Sequence, residues 1–217
     1  MNIDKGKMYS VLSGDLVGSS KLDENERKEI LPILKDSFKL IGSIYPGAVK
    51  SNFDIYRGDS FQGILCEPGF SLGAAVIIRA YLRSKIERKA DARIAIGVGK
   101  IDYLPAHITE GYGEAFSLSG KLLDEMKKSR YNLQIKTPSE EINNELKVEF
   151  IMLDFVISRW SSEQSEAVIE HLKGFTQEKI AKKVNISQPA VHKRLENAGV
   201  WLIDKMRYRF EKLISEL

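Results

Sequence analysis

The chain has 217 residues, of which 43% are hydrophobic and 29% charged, with 33 Lys and Arg against 30 Asp and Glu. This is a globular composition with room for one large or two small cores, and a net charge of +3 says little about nucleic acid. The single cysteine, Cys66, excludes an internal disulfide or a cysteine-cluster metal site. No secretion-type segment or apolar run of membrane-spanning length is present, so the expected location is the cytoplasm, with no membrane partner.

In chain order, residues 7–13 read as a short apolar strand running into Gly14-Asp15-Leu16-Val17-Gly18-Ser19-Ser20. A helix is predicted over 24–44, with Pro32 near its start or at a kink. Two strands, 51–57 and 60–65, flank Gly58-Asp59 as a hairpin. Pro68-Gly69 marks a turn, and 71–90 is helical, with Gly73, Ala74 and Ala75 permitting close packing. Residues 92–99 are apolar almost throughout and predict a central strand covered on both faces. A helix over 113–129 and a strand over 132–135 complete the order β-α-β-β-α-β-α-β, an α/β sandwich.

After Thr137-Pro138-Ser139 no strand signal remains. Helices are predicted over 147–160 and 162–172, then a helix pair, then a last helix through Trp201, Leu202, Met206 and Phe210. Ala198-Gly199 interrupts or thins that last helix. Two domains are expected, an α/β domain over 1–138 and an all-α domain over 139–217. Trp160 and Trp201 are expected to fill the helical core.

The helix pair lies in 174–195. Thr176 is placed to cap a first helix with Ile180, Ala181 and Val184 at helical spacing. Asn185 suits a left-handed corner. Ser187 caps a second helix with Pro189 in its first turn, and Val191 and Leu195 turn inward. Gln188, Ala190, His192, Lys193 and Arg194 are left on or near the outer face, and Lys182 and Lys183 precede the corner. This pattern reads as a helix-turn-helix for double-stranded DNA, with Gln188 and Arg194 for bases and Lys182, Lys183 and Lys193 for phosphates. Basic residues concentrate here, after an acidic stretch over 140–170, as attachment to phosphate requires. An ordinary helical hairpin with a basic solvated face is the alternative.

Two Gly-Asp pairs stand out, Gly14-Asp15 and Gly58-Asp59. In a sheet whose first strand lies beside the hairpin, Asp15 and Asp59 would emerge at one edge. Paired hard oxygens there suit Mg²⁺ or Mn²⁺ carrying a nucleotide phosphate. Gly18, Ser19 and Ser20 would let backbone N–H groups approach the phosphates. Gly-Asp is also a common turn pair, and a purely structural role stays open.

Ser13-Gly14-Asp15-Leu16-Val17-Gly18-Ser19-Ser20 and Arg57-Gly58-Asp59-Ser60-Phe61 resemble the two metal motifs of class III nucleotidyl cyclases. Residues 93–99 are similar to the strand that follows, and 112–122 resemble the late motif before the catalytic helix. The resemblance covers about the first 130 residues and implies a ferredoxin-like, cyclase-type palm. It is closer still to the SatD family, with this degenerate cyclase-like region sometimes followed by a helix-turn-helix. From Ser162-Glu163-Gln164 to Leu195-Glu196-Asn197-Ala198 the chain resembles the promoter-reading region of sigma factors. The cyclase resemblance implies metal roles for Asp15 and Asp59 and a base-selecting role for Glu114. The base-reading Lys position falls on Ile55, the transition-state Asn on Ser117 and the transition-state Arg on Lys121. Lys121 keeps the charge but loses the bidentate fork, so phosphate stabilisation should be sharply weakened.

The expected function is therefore a DNA-binding transcriptional regulator, a homodimer with an inactive cyclase-like pairing or nucleotide-sensing domain. The alternative is a Mg²⁺- or Mn²⁺-dependent nucleotidyl cyclase or nucleotidyltransferase controlled by its C-terminal region, with Glu114 and Lys121 as catalytic candidates. A protein-interaction module built on the terminal helices is the third reading.

Overall fold

A computed structural model describes residues 3–19, 23–56, 58–86, 90–105 and 108–217. Strand β1 (Tyr9–Leu16) is buried along its whole length because both its faces are covered. Leu12 and Leu16 enter the main core, while Tyr9 and Val11 meet Ile101, Leu104 and Ala115 on the opposite face. β1 pairs antiparallel with β3 (Ser60–Leu65) on one side and β4 (Ala92–Gly99) on the other. β2 (Val49–Tyr56) flanks β3, and β5 (Leu133–Lys136) runs parallel to β4, giving the order β2-β3-β1-β4-β5. β1 reaches Leu16 rather than ending near 13, because Asp15 and Leu16 still pair with Arg93 and Ala92. The first Gly-Asp pair therefore lies within a strand.

α1 (Glu24–Ile44) begins on a capping box between Asp23 and Glu26 and carries Pro32 inside it. α2 (Ser71–Lys85) is buried on all sides from Ser71 to Ala80, with Leu72 and every residue from Ala74 to Ile78 fully buried. Gly73 is required: a Cβ there would lie 2.0 Å from the Tyr45 hydroxyl. α3 (Glu114–Met126) covers the other sheet face, where the Ser13 and Ser119 hydroxyls meet at 3.0 Å.

The helical region starts earlier than the apolar spacing predicted. α4 (Glu140–Ile157) begins where the Ser139 hydroxyl accepts the Ile142 N–H, with Glu140 and Glu141 favoured by the helix dipole. It is followed by α5 (Ser162–Leu172), α6 (Gln177–Val184), α7 (Gln188–Asn197) and α8 (Val200–Ile214). Gly199, at φ 68°, breaks the chain cleanly between α7 and α8. One hydrophobic cluster runs from Leu12 in β1 to Ile214 in α8, continuous past residue 138, with α5 packed on α2.

A buried charged cluster crosses the same boundary. Arg79 donates to both Asp91 oxygens at 2.8 and 2.7 Å and to Asp154 of α4 at 2.6 Å. Arg83 donates to the carbonyls of Ser158 and Trp160. Trp160 is buried as expected, its indole N–H donating to Ala198. Trp201 is 61% exposed, contrary to expectation, because the inward stripe of α8 is Ile203, Met206, Phe210 and Ile214. Among the described residues no helix is long and apolar enough to cross a membrane.

Candidate functional sites

The sheet brings the two Gly-Asp aspartates to one edge. Asp15 lies opposite Ser60 in the β1–β3 ladder, and the Leu16 N–H donates to the Asp59 carbonyl. Asp15 is buried, and Arg93, its partner in β4, places Nη1 2.9 and 3.2 Å from its two carboxylate oxygens. Burial pushes the Asp15 carboxyl up; Arg93 and Lys127 oppose that shift and the Asp59 charge adds to it. Asp59 is half-buried and accepts hydrogen bonds from the hydroxyls of Ser19 and Ser60. Gly18, two residues past the end of β1, adopts φ 75°, with open space where a Cβ would stand. Ser20 and Arg57 lie outside the described residues.

The donor set bears on a divalent cation. Asp15 and Asp59 supply hard oxygens, but the Arg93 guanidinium already provides positive charge at Asp15, and a cation there must displace it. Among the described residues no three His, Cys, Asp or Glu side chains converge in a way that could hold a metal.

Glu114 and Lys121 sit elsewhere. Glu114 opens α3 beside the end of β4, its carboxylate accepting the Lys100 N–H at 3.3 Å. Arg93 and Gly99 bound most of β4, so Glu114 lies roughly 20 Å along the strand from Asp15. Ala115, Ser119, Leu123 and Met126 face inward, leaving Glu114, Ser117 and Lys121 exposed on the outer side of α3. A single chain therefore does not gather these residues with the aspartates.

At the other end of the molecule, α6 and α7 meet at a tight corner. Asn185 takes φ 53° and ψ 48°, the Thr176 hydroxyl accepts the Lys179 N–H, and the Ser187 hydroxyl accepts the Ala190 N–H. Ile180, Ala181, Val191 and Leu195 are buried between the helices and α5. Lys182, Gln188, His192 and Lys193 are exposed and Ala190 is half-buried. Gln188 donates to Gln177 across the corner. Two of the expected contact residues are tied back to α5. Arg194 lies 3.6 Å from Glu166, and Lys183 donates to Glu170 at 2.7 Å.

Sequence reasoning assigned no role to Glu170 or Arg93. Burial opposes ionisation of Glu170, but hydrogen bonds from Lys173 and Lys183 hold its carboxyl below the usual range. The signal for Arg93 was its odd position in a strand whose even residues are apolar, which sets it on the face away from the main core.

A model of the SatD family matches residues 9–214. No curated protein matches the chain. Among solved structures, a bacterial light-regulated adenylyl cyclase aligns at 12% identity over 59% of this chain and 75% of that one, with a TM-score of 0.43. The active GGEEF domain of a diguanylate cyclase from Vibrio cholerae aligns at 16% identity over 62% of this chain and 85% of that one, with a TM-score of 0.42.

Proposed function

The chain belongs to the SatD family, and from that premise we propose that it is a DNA-binding regulator whose sheet domain no longer performs cyclase chemistry. The observation that carries this reading is the α6–α7 corner. Its Asn185 turn and Ser187 cap support a helix-turn-helix, with the first turns of α7 free to enter a major groove. Gln188 and His192 are the base-reading candidates, and Lys182 and Lys193 the phosphate contacts. Lys183 and Arg194 join them only by leaving Glu170 and Glu166.

The strand order β2-β3-β1-β4, with the sequence β-α-β-β-α-β, supports a ferredoxin-like palm for residues 1–138. In that palm the Arg93–Asp15 pair stands where a metal-bound nucleotide would require a free carboxylate, which supports an inactive head.

The test is selection of bound sequences from a random duplex pool, followed by affinity at several salt concentrations. A recovered motif and a steep fall in affinity with salt support the reading. Absence of binding to any duplex at low salt overturns it.

A second reading, a metal-dependent nucleotidyl cyclase or nucleotidyltransferase, is favoured by the shared edge of Asp15 and Asp59. Product formation from ATP or GTP with Mn²⁺, lost in Asp15→Ala with Asp59→Ala, would establish it.

A further inference from the structure

Of the large hydrophobic side chains most exposed among the described residues, five lie on two neighbouring helices: Val148, Met152 and Phe155 on α4, and Trp201 and Tyr208 on α8. Their spacing of three, four and seven residues sets them in one stripe per helix. The inward stripes are separate, being Leu146, Phe150, Leu153 and Ile157 on α4 and Ile203, Met206 and Phe210 on α8. Core packing therefore does not account for the exposed stripes. Between them runs a shallow groove of about 230 Å³ floored by Leu153, Leu202 and Met206.

We infer that this two-helix face is the interface of a homodimer, in which α4 of one copy packs on α8 of the other. The inference is independent of the DNA-binding reading.

Area supports a second copy as occupant. The exposures are 57% for Phe155, 61% for Trp201, 72% for Tyr208, 61% for Val148 and 57% for Met152. With about 150–250 Å² for a whole aromatic side chain, the patch presents on the order of 500–600 Å² of apolar surface. A standard interface takes roughly 800 Å² from each partner, a little over half of it non-polar, so the patch matches the apolar share of one side.

Charge selects the arrangement. The helices run antiparallel, since Arg209 of α8 pairs with Glu145 and with Glu149 at 2.8 Å, while Trp160, just past α4, bonds Ala198, just before α8. Beyond that internal pairing, the same end carries Glu141 exposed on α4 and Lys212 exposed on α8. At the other end lie Phe155 and Trp201. A two-fold axis parallel to the helices carries each α4 onto the partner's α8 at the same height. Glu141 of one copy then meets Lys212 of the other, and Phe155 of one copy meets Trp201 of the other.

Sedimentation equilibrium of the full chain tests this. Twice the 24.5 kDa chain mass is expected at micromolar concentration. Trp201→Glu with Tyr208→Glu should weaken the dimer at least about 30-fold while the far-ultraviolet circular dichroism stays unchanged. Lys212→Glu alone should weaken it about 3-fold, and adding Glu141→Lys in the same chain should restore it. A monomer at roughly 100 μM overturns the proposal. So does a dimer indifferent to all these substitutions, which would place pairing on another face such as α3. A charge-swapped double variant weaker than Lys212→Glu overturns the arrangement of the two copies.

Discussion

Arg79 of α2 donates to Asp154 of α4 at 2.6 Å, joining a helix that packs against the sheet to the first helix beyond it. The same guanidinium grips both oxygens of Asp91, and the second oxygen of Asp154 accepts the Asn132 N–H. Arg79 is held by Asp91 and Asp154 together, so removing either carboxylate leaves a buried positive charge short of a partner.

Asp154→Ala should therefore destabilise the fold by about 3–5 kcal/mol. Urea titration followed by tryptophan fluorescence and by circular dichroism should show one shared transition in wild type, because one hydrophobic cluster spans both regions. Two resolved transitions in wild type would contradict the continuous core.

Arg93→Ala should free the Asp15 carboxylate. Manganese affinity, read by paramagnetic resonance of free Mn²⁺, is expected to rise at least about tenfold over wild type, on the scale of one charged partner removed. Adding Asp15→Asn should abolish the gain. Equal affinity in wild type and Arg93→Ala would show that the guanidinium does not control the site.

Glu170 gives the fold an acid-sensitive element with a defined sign. Its folded-state carboxyl titrates below the ordinary value, so the stabilisation from Lys173 and Lys183 is present above the ordinary range near about pH 4.3. It is lost as pH falls through the lower folded value. Glu170→Gln should lower the urea midpoint at pH 7 and flatten its decline between roughly pH 5 and 3. An unchanged slope would dismiss Glu170 as a contributor.

Gly73→Ala should cost about 1–3 kcal/mol, because the added methyl would overlap the Tyr45 hydroxyl that Arg207 holds at 3.0 Å. Tyr45→Phe in the same chain should recover part of that loss, measured by the same urea titration.

Local chemistry made much of this legible in advance. The Asn185 corner, the Thr176 and Ser187 caps and the limits of β4 and α5 follow from residues a few positions apart. The true start of α4 was also written locally, in Ser139 and the two glutamates after it, but apolar spacing alone passes over a cap. Trp201 was misplaced because aromatic size suggests burial, whereas the phase of α8 decides it. The Arg93–Asp15 pair depends on the register between strands some 78 positions apart, which no local pattern specifies. The separation of Glu114 from Asp15 within one chain is set in the same way, by the length of β4.

The burial of α2 from Ser71 to Ala80 also bears on how the protein is made. Its residues leave the ribosome well before α5, the helix that covers its far side, has been synthesised. Through that interval a nascent chain with a finished sheet still shows water a strip of alanine, valine and isoleucine. The growing polypeptide must therefore be sheltered, or kept loose, until its final third arrives to close over that strip.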